Sequence, residues 1–191
     1  GNMHWGHAVS KDMLHWKHFP IALYPSDKLD NDDLVGGAFS GSSIDNNGKL
    51  TAMYTDHFEN KLDAEIFIEH QELAESEDGI HFRPYTENPV ITDKPKGGSK
   101  DFRDPKVWKE DGVWKMILGS AYEGLPSVLI YSSTDLKSWE FEGPLYQEHE
   151  IPGRTVECPD FFKLGDTYVL IASIFQEEGN IKNFITRYYT G

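Results

Sequence analysis

The amino-acid sequence predicts an all-β protein, part of a β-propeller, on three observations. A Ser-x-Asp turn closed by an aromatic residue, Ser10 to Trp16, returns as Ser76 to Phe82 and as Ser133 to Trp139. The period is about sixty residues, which marks a repeated supersecondary unit. Inside one period lie about four short alternating or apolar stretches, 39–44, 50–55, 66–73 and 82–85, bounded by Gly, Asp, Asn and Pro. No apolar pattern at helical spacing persists for three turns, so no helix is expected. Four-stranded antiparallel sheets repeated at this length are what propeller blades require.

In chain order, the repeat divides the sequence into the end of a blade over 1–25, blades over 26–100 and 101–155, and the start of another over 156–191. Open blades leave strand edges unpaired, so a propeller closes on itself. Blades are therefore expected to be missing at both ends. The first stretch is rich in aromatic residues and carries His4, His7 and His15. No Cys and no His-Glu-x-x-His pattern supports them as ligands, so no metal is expected. Trp16, Phe82 and Trp139, each following a turn, are expected to pack in cores. Asp30, Asp32 and Asp33 read as a charged, solvated loop.

Composition narrows the function. With 18 Lys+Arg against 32 Asp+Glu, a net charge of −14, a nucleic-acid partner is unexpected, because phosphate contacts need a clustered basic face. The longest apolar run, Val169 to Phe175, is far shorter than the roughly 20 residues that cross a bilayer, so no membrane partner is expected either. The lone Cys158 excludes an internal disulfide.

Two stretches carry the chemistry: Asp101-Phe102-Arg103-Asp104-Pro105 and Thr155-Val156-Glu157-Cys158-Pro159-Asp160. The residue before a proline is pushed toward extended backbone, which places both acids at the head of a strand-like run. Each run turns, at Glu110-Asp111-Gly112 and at Gly165-Asp166, into a second apolar strand, 113–118 and 167–173. The hairpin is built twice, with an acid expected at the same place in both. By pattern alone, two such acids read equally as turn carboxylates or as a pair converging at one mouth of the channel. Paired carboxylates without a metal are the equipment of glycoside hydrolysis, one protonated and one ionised. Arg103 would keep a neighbouring Asp ionised or offer a fork of donors to sugar hydroxyls. The apolar flanks of Glu157 suit the proton donor.

Phe39-Ser40-Gly41-Ser42, Arg103-Asp104-Pro105 and Glu157-Cys158-Pro159-Asp160, in that order and spacing, resemble the signature blocks of glycoside hydrolase family 32, the invertases and related β-fructofuranosidases. The opening Gly-Asn-Met-His-Trp-Gly-His-Ala-Val-Ser and Ile21 to Pro25 are similar to its bacterial sucrose and sucrose-6-phosphate hydrolases. The resemblance implies a five-bladed propeller followed by a β-sandwich, with the first blade and the sandwich largely absent here. It implies Glu157 as general acid/base, Asp104 as transition-state stabiliser, Arg103, Phe39 and Ser40 as substrate-binding residues and Trp5 as a wall of the pocket. It implies a small fructoside substrate, no cofactor, and a cytoplasmic location for a phosphosugar enzyme, whereas secretion would suit a fructan enzyme. The family's Trp-Met-Asn-Asp-Pro-Asn-Gly block, which carries the nucleophile, has no counterpart; it would lie upstream of Gly1, and these 191 residues alone are expected to be inactive. Two alternatives stand beside this reading: a carbohydrate-binding propeller without turnover, and a related five-bladed glycosidase acting on pentosans.

Overall fold

In the computed structural model, which describes residues 2–26, 33–179 and 181–191, the chain is all-β and forms four antiparallel sheets. β1 (Trp5–Ser10) and β2 (Trp16–Leu23) pair with each other. β3 (Leu34–Asn46), β4 (Lys49–Asn60), β5 (Asp63–Ser76) and the short β6 (Arg83–Pro84) form a four-stranded sheet in sequence order. So do β7 (Gly98–Glu110), β8 (Val113–Tyr122), β9 (Leu125–Ser133) and β10 (Glu140–Gln147). β11 (Thr155–Leu164), β12 (Thr167–Glu178) and β13 (Ile181–Thr190) form the last. Asp30 and Asp32 of the acidic loop lie outside the described residues.

The hairpins follow from local chemistry. Asn47-Gly48 and Asp111-Gly112 each put two consecutive residues at positive φ, the geometry of a two-residue turn whose twist matches that of its strands. The repeated Ser-x-Asp turn is one structure used three times. Asp12, Asp78 and Asp135 each accept two backbone N–H groups through Oδ1, while Met13, Gly79 and Leu136 take the left-handed conformation. Phe82 and Trp139 pack against cores as expected, but Trp16 is 55% exposed, and among the described residues no third strand pairs with β2.

Central strands are buried on both faces, which explains their unbroken apolar runs. In β8, Met116 and Leu118 enter the core shared with the β3–β6 sheet, and Ile117, between them, enters the core shared with β11 and β12. In β4, Met53 and its neighbours Ala52 and Tyr54 divide in the same way between two cores. Full burial of a side chain of this size contributes about 1.5–3 kcal/mol, so this layering is the main stabilising contact between sheets. The innermost strands β3, β7 and β11 stand side by side.

One glycine sets the spacing of two sheets. A Cβ on Gly119 would lie 2.3 Å from the Val156 carbonyl oxygen, and Gly119 is the ladder partner of Arg103. Gly119→Ala in the full-length protein is expected to cost about 1–3 kcal/mol, since backbone yields less readily than a flexible side chain. Thermal unfolding measures this, and an unchanged midpoint would show that the sheets are free to separate.

Candidate active site

Three inner strands break their ladders at the same level. Between Ala38 and Gly41, Arg103 and Lys106, and Glu157 and Asp160, two residues oppose one on the neighbouring strand. These β-bulges hold Phe39-Ser40, Asp104-Pro105 and Cys158-Pro159. A proline cannot donate to a ladder, and a bulge removes the need.

The bulges correct two expectations. Asp104 lies in the middle of β7, and its φ of 65° is left-handed, as is the 46° of Cys158. The extended conformation that a following proline favours is overridden by the bulge. The acids are also out of register by one residue. Asp104 and Cys158 are the first bulge residues, whereas Arg103 and Glu157 are the last ladder residues before them.

That offset brings the acids to adjoining positions. The Cys158 N–H donates to Asp104 Oδ2 at 2.7 Å, and Arg103 Nη2 donates to Glu157 Oε1 at 2.6 Å. The guanidinium also bonds Asp101, a neighbouring Asp as the local sequence implied, and its charge reaches Asp104; Glu157, by contrast, meets a cation where its apolar flanks implied less polar surroundings. Asp104 is buried, which raises its carboxyl pKa from the ordinary 3.8; the Cys158 N–H and the Arg103 charge oppose this only in part. Burial also pushes the Cys158 thiol up to about 11, helped by the charge of Asp104.

Behind this front lies a set of residues that the sequence did not single out. Glu69 on β5, its side chain fully buried, accepts from Arg103 Nη1 at 3.0 and 3.2 Å and from the Phe102 N–H at 2.7 Å, and its Oε1 lies 2.9 Å from His57 Nδ1. Asp101 accepts from the same Arg103 nitrogen at 2.9 Å, and through its other oxygen from Arg154 Nε at 2.9 Å. Burial alone would lower the Arg103 pKa, but Glu69, Glu157 and Asp101 outweigh it and push it up, keeping the guanidinium charged. The β7 backbone is fixed from the neighbouring sheet: the Asp104 N–H donates to the Thr55 hydroxyl at 3.0 Å, which donates to Gln71 Oε1 at 2.8 Å.

Phe39 stacks on His57 with centroids 4.1 Å apart and planes at 11°, and with Arg103 and Glu157 lines a cleft of about 330 Å³. Ser40 is exposed beside Cys158. Trp5 reaches the site through the backbone, its indole N–H donating to the Phe39 carbonyl at 2.8 Å. Asp160 is engaged elsewhere, 2.7 Å from Lys106. The cleft presents the Glu157 carboxyl against the Arg103 cation and the aromatic face of Phe39, with Glu59, Glu65, Glu69 and Asp101 also in its lining, whereas Asp104 and Ser40 lie beside it and not in its lining. Charged groups with an aromatic face suit a polyhydroxylated ligand.

The family described as "Glycosyl hydrolases family 32 N-terminal domain" matches residues 1–191. A sucrose-6-phosphate hydrolase of Escherichia coli is 43% identical over 176 residues, covering 91% of this chain and 35% of that protein. A levanase of Bacillus subtilis is 40% identical over 178 residues, covering 86% of this chain and 23% of its own length. The chain thus spans about a third or less of these relatives. Among solved structures, a β-fructofuranosidase of Bombyx mori superposes with a TM-score of 0.84 at 36% identity, covering all of this chain and 40% of that one.

Proposed function

Because the chain belongs to glycoside hydrolase family 32, we propose that its parent protein hydrolyses the β-fructofuranosyl bond of sucrose, sucrose-6-phosphate or a short fructan with retention of configuration. The observation that carries this reading is the joint placement of the acids: Arg103 on Glu157, and Asp104 on the N–H of the next residue, Cys158. In this scheme Glu157, protonated, gives its proton to the departing glycosidic oxygen as the C–O bond breaks and a carboxylate nucleophile takes the anomeric carbon. The Glu157 carboxylate then removes a proton from water, which displaces the nucleophile and frees fructose. Asp104 holds fructose hydroxyls, and its charge gains value as the ring turns oxocarbenium-like. Phe39 offers a sugar its apolar face and Arg103 donates to hydroxyls, while Ser40, exposed beside Cys158, is assigned to substrate binding by its sequence block. Glu157 and Asp104 are committed to these roles, and neither is proposed as the nucleophile.

Full-length protein given sucrose and methanol is expected to release glucose and form methyl β-fructofuranoside, the retained anomer, as read by NMR. The α-anomer would overturn the retaining mechanism. Cleavage of arabinan with no action on any fructoside would overturn the substrate class.

A further inference from the structure

We infer that Glu69 is a positioning residue for catalysis: it clamps the Arg103 guanidinium from behind, so that its other nitrogen is presented to Glu157. The inference rests on the fructosidase reading above. A guanidinium on a three-carbon stem has many rotamers, and a substrate-facing carboxyl needs one of them. Here one carboxylate removes the freedom of two groups. Glu69 Oε1 and Oε2 both receive Arg103 Nη1, and Oε2 also receives the Phe102 N–H, the backbone donor just before Arg103. Side chain and main chain of the same segment are pinned to one rigid point on the adjacent sheet.

Glu69 is itself held. Its side chain has no exposure, and Oε1 bonds His57, whose ring stacks on Phe39 at 4.1 Å and lies tilted against Phe67 at 5.3 Å. The chain of contact runs from an aromatic stack through Glu69 and Arg103 to Glu157, each link within 3.2 Å after the stack. Asp101 shares Arg103 Nη1 but divides its charge with Arg154, so it cannot replace Glu69 alone. A fully buried carboxylate costs free energy to desolvate, and apolar packing would have stabilised this position without it. What the carboxylate adds is direction.

The test is a double-mutant cycle in the full-length enzyme. Glu69→Gln is expected to lower kcat about 10- to 100-fold while KM stays within about twofold. In the Arg103→Ala background the same change should cost several-fold less, because only the Phe102 N–H contact of Glu69 to this segment then remains. Equal losses in both backgrounds, or a loss confined to KM, would overturn the inference. Where Glu69→Gln fails to fold, Glu69→Asp keeps the charge but is too short to span Nη1 and the Phe102 N–H together; it is expected to show the same loss in kcat, and an unchanged kcat would overturn the inference. An Arg103→Ala enzyme of undiminished kcat would bring down the reading of the site itself, and this inference with it.

Discussion

Glu157→Gln in the full-length protein is expected to fold normally and to lose about 10²- to 10⁴-fold in turnover of sucrose, the contribution that general acid catalysis makes. Glutamine keeps an oxygen for Arg103 Nη2, which now reaches Glu157 at 2.6 Å, so the local packing survives the change. What is lost is the transferable proton. The loss should depend on the leaving group. An aryl fructoside, whose aglycone departs without a proton, should be cleaved once at near-normal speed and then turn over slowly, because water still needs the missing base. Stopped-flow release of the aglycone reads this burst. An equal deficit on sucrose and the aryl fructoside, with no burst, would remove Glu157 from the role.

Asp104→Asn is expected to lower kcat by about 10²- to 10³-fold, with a smaller effect on KM, because the carboxylate is worth most when positive charge develops in the ring. A rise in KM alone would make Asp104 a plain binding residue. The same substitution should stabilise the fold. Asp104 is buried and its folded-state pKa is raised, so its contribution to stability is fully present below its ordinary 3.8 and is lost as pH rises through the folded value. Above that window the ionised, buried carboxylate is a cost. Asparagine removes the cost, tolerates the left-handed φ of 65° and still accepts the Cys158 N–H. The unfolding midpoint is therefore expected to rise by a few degrees at neutral pH, with the gain fading below pH 3.8. A midpoint that falls at neutral pH would show that the ionised Asp104 supports the fold.

Loss of function with gain of stability at one residue shows why parts of the site were legible in the sequence and others were not. Asp104 and Glu157 stood out because a proline follows near each acid and the surrounding blocks are distinctive. The bulges that position them did not, although Pro105 and Pro159, which cannot donate to a ladder, were a usable signal. Glu69 was hidden for a different reason. Along β5, Glu65, Phe67, Glu69 and Gln71 alternate with Ile66, Ile68 and His70, and such a pattern reads as a solvated polar face opposite an apolar one. The structure reverses it: Glu69 and Gln71 are 4% and 0% exposed, while Ile66 and Ile68 are 60% and 57% exposed. The polar side of β5 meets Arg103 of the next sheet, and no local pattern announces a partner 34 residues away. Turns were easier, because Asn-Gly and Asp-Gly need nothing beyond their own backbone.

The three aligned bulges store information as chain length. In a loop, one residue more or less is absorbed by rearrangement of the connection. In β7, Lys106 to Glu110 are counted back from the Asp111-Gly112 turn, and Arg103 and the residues before it fall on their faces only because Asp104 and Pro105 together oppose Leu118 alone. Deleting Pro105 would complete the ladder and improve its hydrogen bonding, yet it would exchange the two faces of everything upstream. Arg103 would turn from the cleft toward the core, and Phe102, 1% exposed, would turn out of it. Single-residue deletions at 39–40, 104–105 and 158–159 thus exchange sites for sheets, which makes strand length here as much a part of the chemistry as the identity of any acid.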